Sequence, residues 1–300
     1  MSGLSLLAAL KAFDATARWG SMTAAARALD LQQPTVSAHI QRLEQEYGVE
    51  LLYRRGRRLE LTAFGRSLLD HTRRAFSAEE DAHALLAAAR SRYAGRLVVH
   101  AIGPYNVVPI LKAYAQAYPQ VSVAVGVGDS RSITAKICDY QGDVGLVLNH
   151  ADVEGLHSMP YRVQNLVVFA PVAHPLAQRG AISIRDLQGQ RFVIREEGST
   201  TRRVFEQELA DRGIQIHTAV EMGSREAVRE AVAQGLGLGV VAETAYVPDP
   251  RLVKLRLIDS AMSTRVHIIC RAERRQSPLI AAFYEVAAGL GPQQVTGEPA

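Results

Sequence analysis

Two groups of residues in this chain have types and spacings that could do chemistry. The first is a set of guanidiniums, Arg54, Arg55, Arg57 and Arg58, around Gly56. Guanidiniums hold phosphate oxygens in forked hydrogen bonds, so this cluster suits a nucleic-acid backbone, although a charge run alone is as a rule a solvated face. The second group is a set of loops that place a hydroxyl just before a helix: Asp129-Ser130-Arg131-Ser132, Gly198-Ser199-Thr200-Thr201-Arg202 and Gly223-Ser224-Arg225. A further loop, Gly103-Pro104-Tyr105-Asn106, offers a phenol and an amide. Helix N-termini present free N–H groups and a positive dipole end, so these loops either hold an anion or only cap their own helices. Arg131, Arg202 and Arg225 oppose the dipole of the helices they begin, which points to counter-charge for a ligand or to solvated surface.

The arginine cluster must be positioned by the stretch before it, Ser21 to Leu61. From Pro34 a helix is expected, with Gln33 before it: Val36, Ile40, Leu43 and Tyr47 make an apolar stripe, and Thr35, Ala38, His39 and Arg42 occupy another face. One face packs and the other is free to touch a partner. Thr23 to Leu29 reads as a preceding alanine-rich helix with Ser21 and Thr23 as candidate caps, and its small side chains allow the two helices to approach closely. Leu52, Leu59 and Leu61 flank the arginines as a hairpin with Gly56 at its tip. The whole reads as a winged helix-turn-helix whose DNA-facing residues are Thr23, Gln33, Pro34, Thr35, Ser37, His39, Arg42, Arg54, Arg55, Arg57 and Arg58. The surplus continues in Arg66, Arg73 and Arg74, against Glu60 and Asp70.

The order of these motifs resembles the LysR-type transcriptional regulators, through SMTAAARAL followed by QPTVSAHIQRLEQEYGVELLYRRGRRLELTAFG. The likeness is strong over about the first ninety residues and looser through REEGSTTRRVFE and AVREAVAQGLGLGVV. Ala38 and His39 stand where that family often has longer polar or basic side chains, and Met22 where it usually has Phe. The resemblance implies an effector bound in a cleft, a dimerising linker helix, a tetramer built from such dimers, and control of a nearby metabolic operon.

Between Thr62 and Arg92 there is no proline, and a long helix is expected. Leu68, Thr72, Ala75, Glu79, Ala82, Leu86 and Ala89 follow a seven-residue rhythm that could pair with a second copy or pack on the same domain. The resemblance implies pairing. Leu6, Leu10, Phe13 and Ala17 space as the packed face of a first helix, with Lys11 and Asp14 outside.

From Arg96 strands alternate with helices: strands at 97–102, 121–127 and 144–148, with helices at 107–118 and 132–140 between them. A second round has strands at 166–170, 192–195, 217–220 and 238–241, with helices at 201–212 and 225–234. A last strand follows at 266–270 and a last helix at 278–290. The expected fold is therefore an N-terminal all-α winged helix-turn-helix (1–62), a linker helix (63–93), and an α/β effector domain (94–291) of two Rossmann-like lobes resembling periplasmic binding proteins. Lobe I takes 94–163 and 265–291, lobe II takes 164–264, and 292–300 is a flexible tail. Ligands of open α/β sheets bind at the carboxyl ends of the strands, which assigns a small organic anion to Tyr105, Asn106, Ser130, Arg131, Ser132, Ser199, Thr200, Thr201, Arg202 and Ser224.

Composition sets limits on this reading. Three hundred residues with 48% hydrophobic content can bury a sizeable core, and the net charge of +4 is modest. No uncharged run reaches the roughly 20 apolar residues of a membrane helix. Without an export signal a cytoplasmic location is expected, and a secreted solute receptor is disfavoured. Cys138 and Cys270 read as core thiols rather than a redox pair. The run Gly235-Leu236-Gly237-Leu238-Gly239 follows a helix and so reads as a helix stop, not a dinucleotide fingerprint. No nucleophile elbow surrounds Ser199 or Ser224, and the histidines lack metal-ligand spacing. No catalytic residue, metal or cofactor is expected; the competing reading is a cytoplasmic small-molecule enzyme with an accessory DNA-binding head. The partners expected are a partly symmetric double-stranded operator, a small organic anion, further copies of the chain as dimer or tetramer, and RNA polymerase, with no membrane.

Overall fold

The computed structural model describes residues 3–55, 58–88, 93–149, 152–179 and 181–291. The chain divides into two compact units, Met1–His83 and Ala84–Ala300.

The first unit contains α1 (Gly3–Trp19), α2 (Met22–Ala28), α3 (Gln33–Tyr47), the hairpin β1 (Leu52–Arg55) and β2 (Arg58–Leu61), and most of α4 (Ala63–Ala88). Ser21 caps α2 by accepting from the Ala24 N–H, and Gly48, at φ 65°, closes α3 in the left-handed conformation that glycine adopts without strain. Gln33 is itself helical and Gln32 is the N-cap, which places Pro34 one position further into the first turn than the sequence suggested. Val36, Ile40 and Leu43 are buried with Phe13, Ala25, Leu51 and Leu69, each large side chain contributing about 1.5–3 kcal/mol of apolar burial. Tyr47 departs from the expected stripe: it is 56% exposed, because the last turn of α3 runs past the core. Asp14 departs too. It is buried at 5% exposure, since the Thr72 hydroxyl of α4 donates to its carboxylate at 3.0 Å. With Lys11 paired to Glu79 at 2.8 Å, part of the α4 rhythm therefore packs on α1, whereas Leu85 and Leu86 further along stay exposed. Ala89 and Arg92, with Gly56, Arg57 and the 292–300 tail, lie outside the described residues.

The second unit is built on β3 (Gly95–Ala101), β4 (Val121–Val127), β5 (Val144–Leu148), β6 (Leu156–Pro171), β7 (Ala181–Ile182), β8 (Arg191–Arg195), β9 (His217–Met222), β10 (Gly239–Ala242), β11 (Leu252–Leu257) and β12 (Ser263–Arg271). Its helices are α5 (Pro104–Ala117), α6 (Ser130–Cys138), α7 (Thr200–Asp211), α8 (Arg225–Ala233) and α9 (Pro278–Gly289). The main sheet runs β4-β3-β5-β12-β6-β11-β7, with β10 also on β6, and β8 pairs with β9 in parallel. β3 lies parallel to β4 and β5, and β12 antiparallel to β5 and β6.

β6 is longer than the expected 166–170, and its two ends serve different cores. Tyr161 packs with Leu97, Ile110, Ile133, Leu146 and Phe283; Leu166 and Val168 pack with Phe192, Phe205, Leu209 and Leu238. The polypeptide thus passes between two hydrophobic cores along β6 and returns near β12. β7 and β11 were not anticipated. α8 ends at Ala233 and Gly235 takes φ 82°, while Gly237 and Gly239 press against the Arg191 carbonyl and the Phe169 ring, where a Cβ would come within 2.6 Å and 2.5 Å.

Candidate nucleic-acid interface and ligand cleft

α3 and the hairpin are tied together by one carboxylate. Glu44, near the end of α3, accepts the Leu51 N–H at 2.8 Å and the Leu52 N–H at 3.2 Å, which fixes where β1 begins. Thr62 then closes the hairpin by donating its hydroxyl to the Glu50 carbonyl at 2.6 Å, and Gly65 passes so close to Leu51 that a Cβ would sit 2.2 Å from its carbonyl oxygen. With α3 and the hairpin held in this way, Thr23, Gln33, Pro34, Thr35, Arg42, Arg54 and Arg55 are exposed, while Ser37 and His39 are half-buried. Arg57 and the Arg58 side chain are not described. Tyr53 and Glu60, directly paired across the hairpin, share a 2.7 Å hydrogen bond, and this raises the phenol pKa. Arg66 is engaged with the hairpin itself, donating to the Leu61 carbonyl at 2.7 Å.

In the second unit the loops at the carboxyl ends of the strands gather around two chambers. The larger, of about 440 Å³, is lined from one side by Ser130, Arg131, Leu148 and Asn149 and from the other by Glu197, Ser199, Thr200 and Arg203. It is bounded by the starts of α6 and α7, whose N–H groups favour an anion. The smaller, with about 40 Å³ of free space, lies against α8 and is lined by Tyr105, Phe169, Arg195, Thr201, Arg225 and Tyr246, among others.

The expected anion residues therefore separate. Ser130, Arg131, Ser199 and Thr200 line the larger chamber; Tyr105 and Thr201 line the smaller. Ser132 and Ser224 line neither: Ser132 donates to the Asp129 carbonyl at 3.0 Å, and Ser224 caps α8 by accepting from the Ala227 N–H at 3.1 Å. Arg202 is turned away by Glu206 and Glu221, at 2.7 and 2.8 Å. Asn106 is buried, its amide donating to Gln164, which in turn donates to Thr264 and accepts from Thr244. This chain of side chains links α5 to both long strands. The cap of α6 is Asp129 rather than a serine; burial acts to raise its pKa, but hydrogen bonds from Ser132, its N–H first, and from the Asp129 and Arg131 backbone outweigh it and hold the carboxyl below the usual range.

Arg203 and Glu197 in the larger chamber, and Arg195, Phe169 and Tyr246 in the smaller, are lining residues beyond those expected from the sequence. Arg203 stands three residues after Thr200, one helical turn on, which is the signal that could have placed both on one face. Among the described residues no group of three His, Cys, Asp or Glu side chains could hold a metal ion, and no helix is long and apolar enough to cross a membrane.

Comparison with known proteins agrees with this division. The family described as bacterial regulatory helix-turn-helix protein, lysR family, matches residues 7–66, and the LysR substrate binding domain matches residues 91–290. The chain is 32% identical over 243 residues to the HTH-type transcriptional regulator CysL of Bacillus subtilis (strain 168), covering 80% of this chain and 81% of that one. It is 32% identical over 284 residues to the RuBisCO operon transcriptional regulator of Allochromatium vinosum, covering 92% and 93%. In fold it is similar to full-length OxyR from Pseudomonas aeruginosa, with a TM-score of 0.76 at 21% identity over 98% of both chains. α3, its hairpin and the α/β unit thus belong to one chain of the LysR family, a ligand-responsive, DNA-binding transcriptional regulator.

Proposed function

We propose that the effector is a small organic anion carrying a carboxylate, phosphonate or sulfonate group, held in the larger chamber by Ser130, Arg131, Ser199, Thr200 and Arg203. The observation that carries this reading is the convergence of two helix N-termini and two guanidiniums on a single cavity of about 440 Å³, with Glu197 on its wall and Asp129 capping α6. A ligand spanning both sides of that cavity favours one arrangement of the lobes over another, and anion and operator then alter each other's affinity by the same factor.

On this reading residues 1–62 read DNA, 63–93 link and pair two chains, and 94–291 sense the anion in the cytoplasm. Thr35, Ser37, His39 and Arg42 meet base edges and nearby phosphates, with Thr23, Gln33 and Pro34 beside them, and Arg54, Arg55, Arg57 and Arg58 hold the backbone. A dimer joined through the exposed Leu86 end of α4 presents two heads to a partly symmetric operator, two dimers make the tetramer, and RNA polymerase is the further partner.

Calorimetry with acetate, malonate, sulfate and phosphate tests the cleft. The parent is expected to bind at least one of them, and Ser130→Ala or Thr200→Val to weaken that binding about tenfold, the loss of roughly one charge-assisted hydrogen bond. Equal binding by parent and variants would remove the assignment.

A further inference from the structure

Arg225 lines the smaller chamber half-buried, under conditions that cost a guanidinium stability. It belongs to the first turn of α8, where the helix dipole opposes its charge. Its single hydrogen bond is from Nη1 to the Ile102 carbonyl at 2.6 Å, at the end of β3. Among the described residues no carboxylate comes within ion-pairing distance of it. Burial and then the neighbouring Arg195 push its pKa down, and the carboxylates of Glu226 and Glu196 oppose them only in part. Arg195 itself is balanced, forked onto Glu196 at 2.6 Å through two nitrogens. Arg229 also lines the chamber, and its Nε is buried with no hydrogen-bond partner. Glu226, the carboxylate on the chamber wall, is engaged at the start of its own helix by backbone and Ser224. Three guanidiniums, Arg195, Arg225 and Arg229, thus meet the carboxylates of Glu196 and Glu226 around this chamber, and a buried donor left unpartnered, the Arg229 Nε, is expensive, which favours an anion there.

The backbone is shaped around this side chain. Gly103 follows Ile102 at φ 156°, and a Cβ there would fall 2.2 Å from Arg225 Nη1. Glycine at that position is what allows the guanidinium to cross from α8 to the end of β3. The same crossing leaves about 40 Å³ of free space, room for a few waters and not for an organic acid. An anion therefore gains room there only as the guanidinium moves.

We propose that Arg225 is an anion-responsive latch between the two lobes, its guanidinium exchanging the Ile102 carbonyl for the anionic group of an effector, with Arg229 as the second donor. This rests on the reading of the larger chamber as an anion site and extends it to the smaller one, whose lining follows on from Thr200 to Thr201. It makes the bond between α8 and β3 and the bond to the anion mutually exclusive, so that taking up a carboxylate, sulfate or phosphate releases the lobes from each other at this point. The latch also accounts for an arginine in a first helical turn that the dipole disfavours.

The test uses the full chain and Arg225→Met, with Arg225→Lys as the charge-preserving variant, in calorimetry against acetate, malonate, sulfate and phosphate. Melting in chloride buffer is followed alongside. In chloride, Arg225→Met is expected to melt no more than about 4 °C below the parent, the equivalent of roughly one lost hydrogen bond offset by the removed buried charge. Its affinity for the anion the parent binds most tightly is expected to fall at least about tenfold, with Arg225→Lys between the two. The carboxylate and oxoanion arms identify which group the latch takes. Were Arg225→Met to bind that anion within about twofold of the parent while Thr200→Val lost it, the latch would fall and the anion cleft would stand. A parent that binds none of the four overturns both. If Arg225→Met does not fold and Arg225→Lys binds every anion as the parent does, Arg225 is a strut and the latch is refuted.

Discussion

Glu44→Ala is the change that most sharply separates a reading helix from a mere packed helix. The carboxylate accepts two backbone N–H groups of the chain entering the wing, at 2.8 and 3.2 Å, and is half-buried. Hydrogen bonds to a charged group contribute about 1.5–3 kcal/mol, and sharing one oxygen and partial exposure bring the pair to roughly 2 kcal/mol. For a unit of this size that is a fall in melting temperature of roughly 8–16 °C. Locally it is a roughly 30-fold faster amide exchange at Leu51 and Leu52. Glu44→Gln keeps an oxygen acceptor without the charge and is expected to lose about half as much. The wing arginines then lose their fixed position, so affinity for every duplex falls and the salt dependence becomes shallower by about one unit of slope for each phosphate they release. The assay is hydrogen exchange by mass spectrometry together with duplex binding at several salt concentrations. Unchanged protection of Leu51 and Leu52 in Glu44→Ala would refute the link between α3 and the wing.

Three further outcomes follow from the geometry. Gly65→Ala places a methyl 2.2 Å from the Leu51 carbonyl oxygen, a backbone atom with little freedom to yield, and is expected to destabilise the first unit by about 1–3 kcal/mol in denaturant titration. Asp129 has a folded pKa below its ordinary value near 3.8, so the stability it lends is full above that value and is lost as pH falls through the lower folded one. Asp129→Asn should flatten that part of the acid limb in melting curves, and an unchanged limb would remove Asp129 from the account of α6. Leu86→Asp sits at a position 69% exposed, so it should leave the monomer's stability within about 0.5 kcal/mol yet dissociate the assembly in sedimentation velocity; an unchanged assembly would place the pairing surface elsewhere.

What the sequence made legible was local. Val36, Ile40 and Leu43 declare the buried face of α3 because helical spacing is itself a local pattern, and 121–127 and 144–148 are short valine-rich runs whose bounds the structure keeps. Asp14 could not be read as buried, because its partner Thr72 is 58 residues away. The first half of β6 was missed since Pro160, Arg162 and Gln164 are poor strand signals, though the two polar side chains are buried where the strand passes between cores. β11 did carry a signal, the alternation of Leu252-Val253-Lys254-Leu255-Arg256-Leu257, and went unused. At the cleft the hydroxyls before the helices were visible, but which serve only their own helix is decided by side-chain orientation: Ser132 and Ser224 turn inward to their backbones, whereas Thr200 and Thr201 open to different chambers.

The central claim is that α3 and its wing read a defined duplex as a pair. Selection of the full chain against a random double-stranded library, followed by sequencing of the bound fraction, tests it most directly. The expected result is an enriched site of two half-sites in partial two-fold symmetry, whose base preference shifts with His39→Ala and Arg42→Ala while Arg54→Ala and Arg55→Ala weaken binding without changing the preference. Enrichment of no sequence, or of a preference that His39→Ala and Arg42→Ala leave untouched, would contradict it.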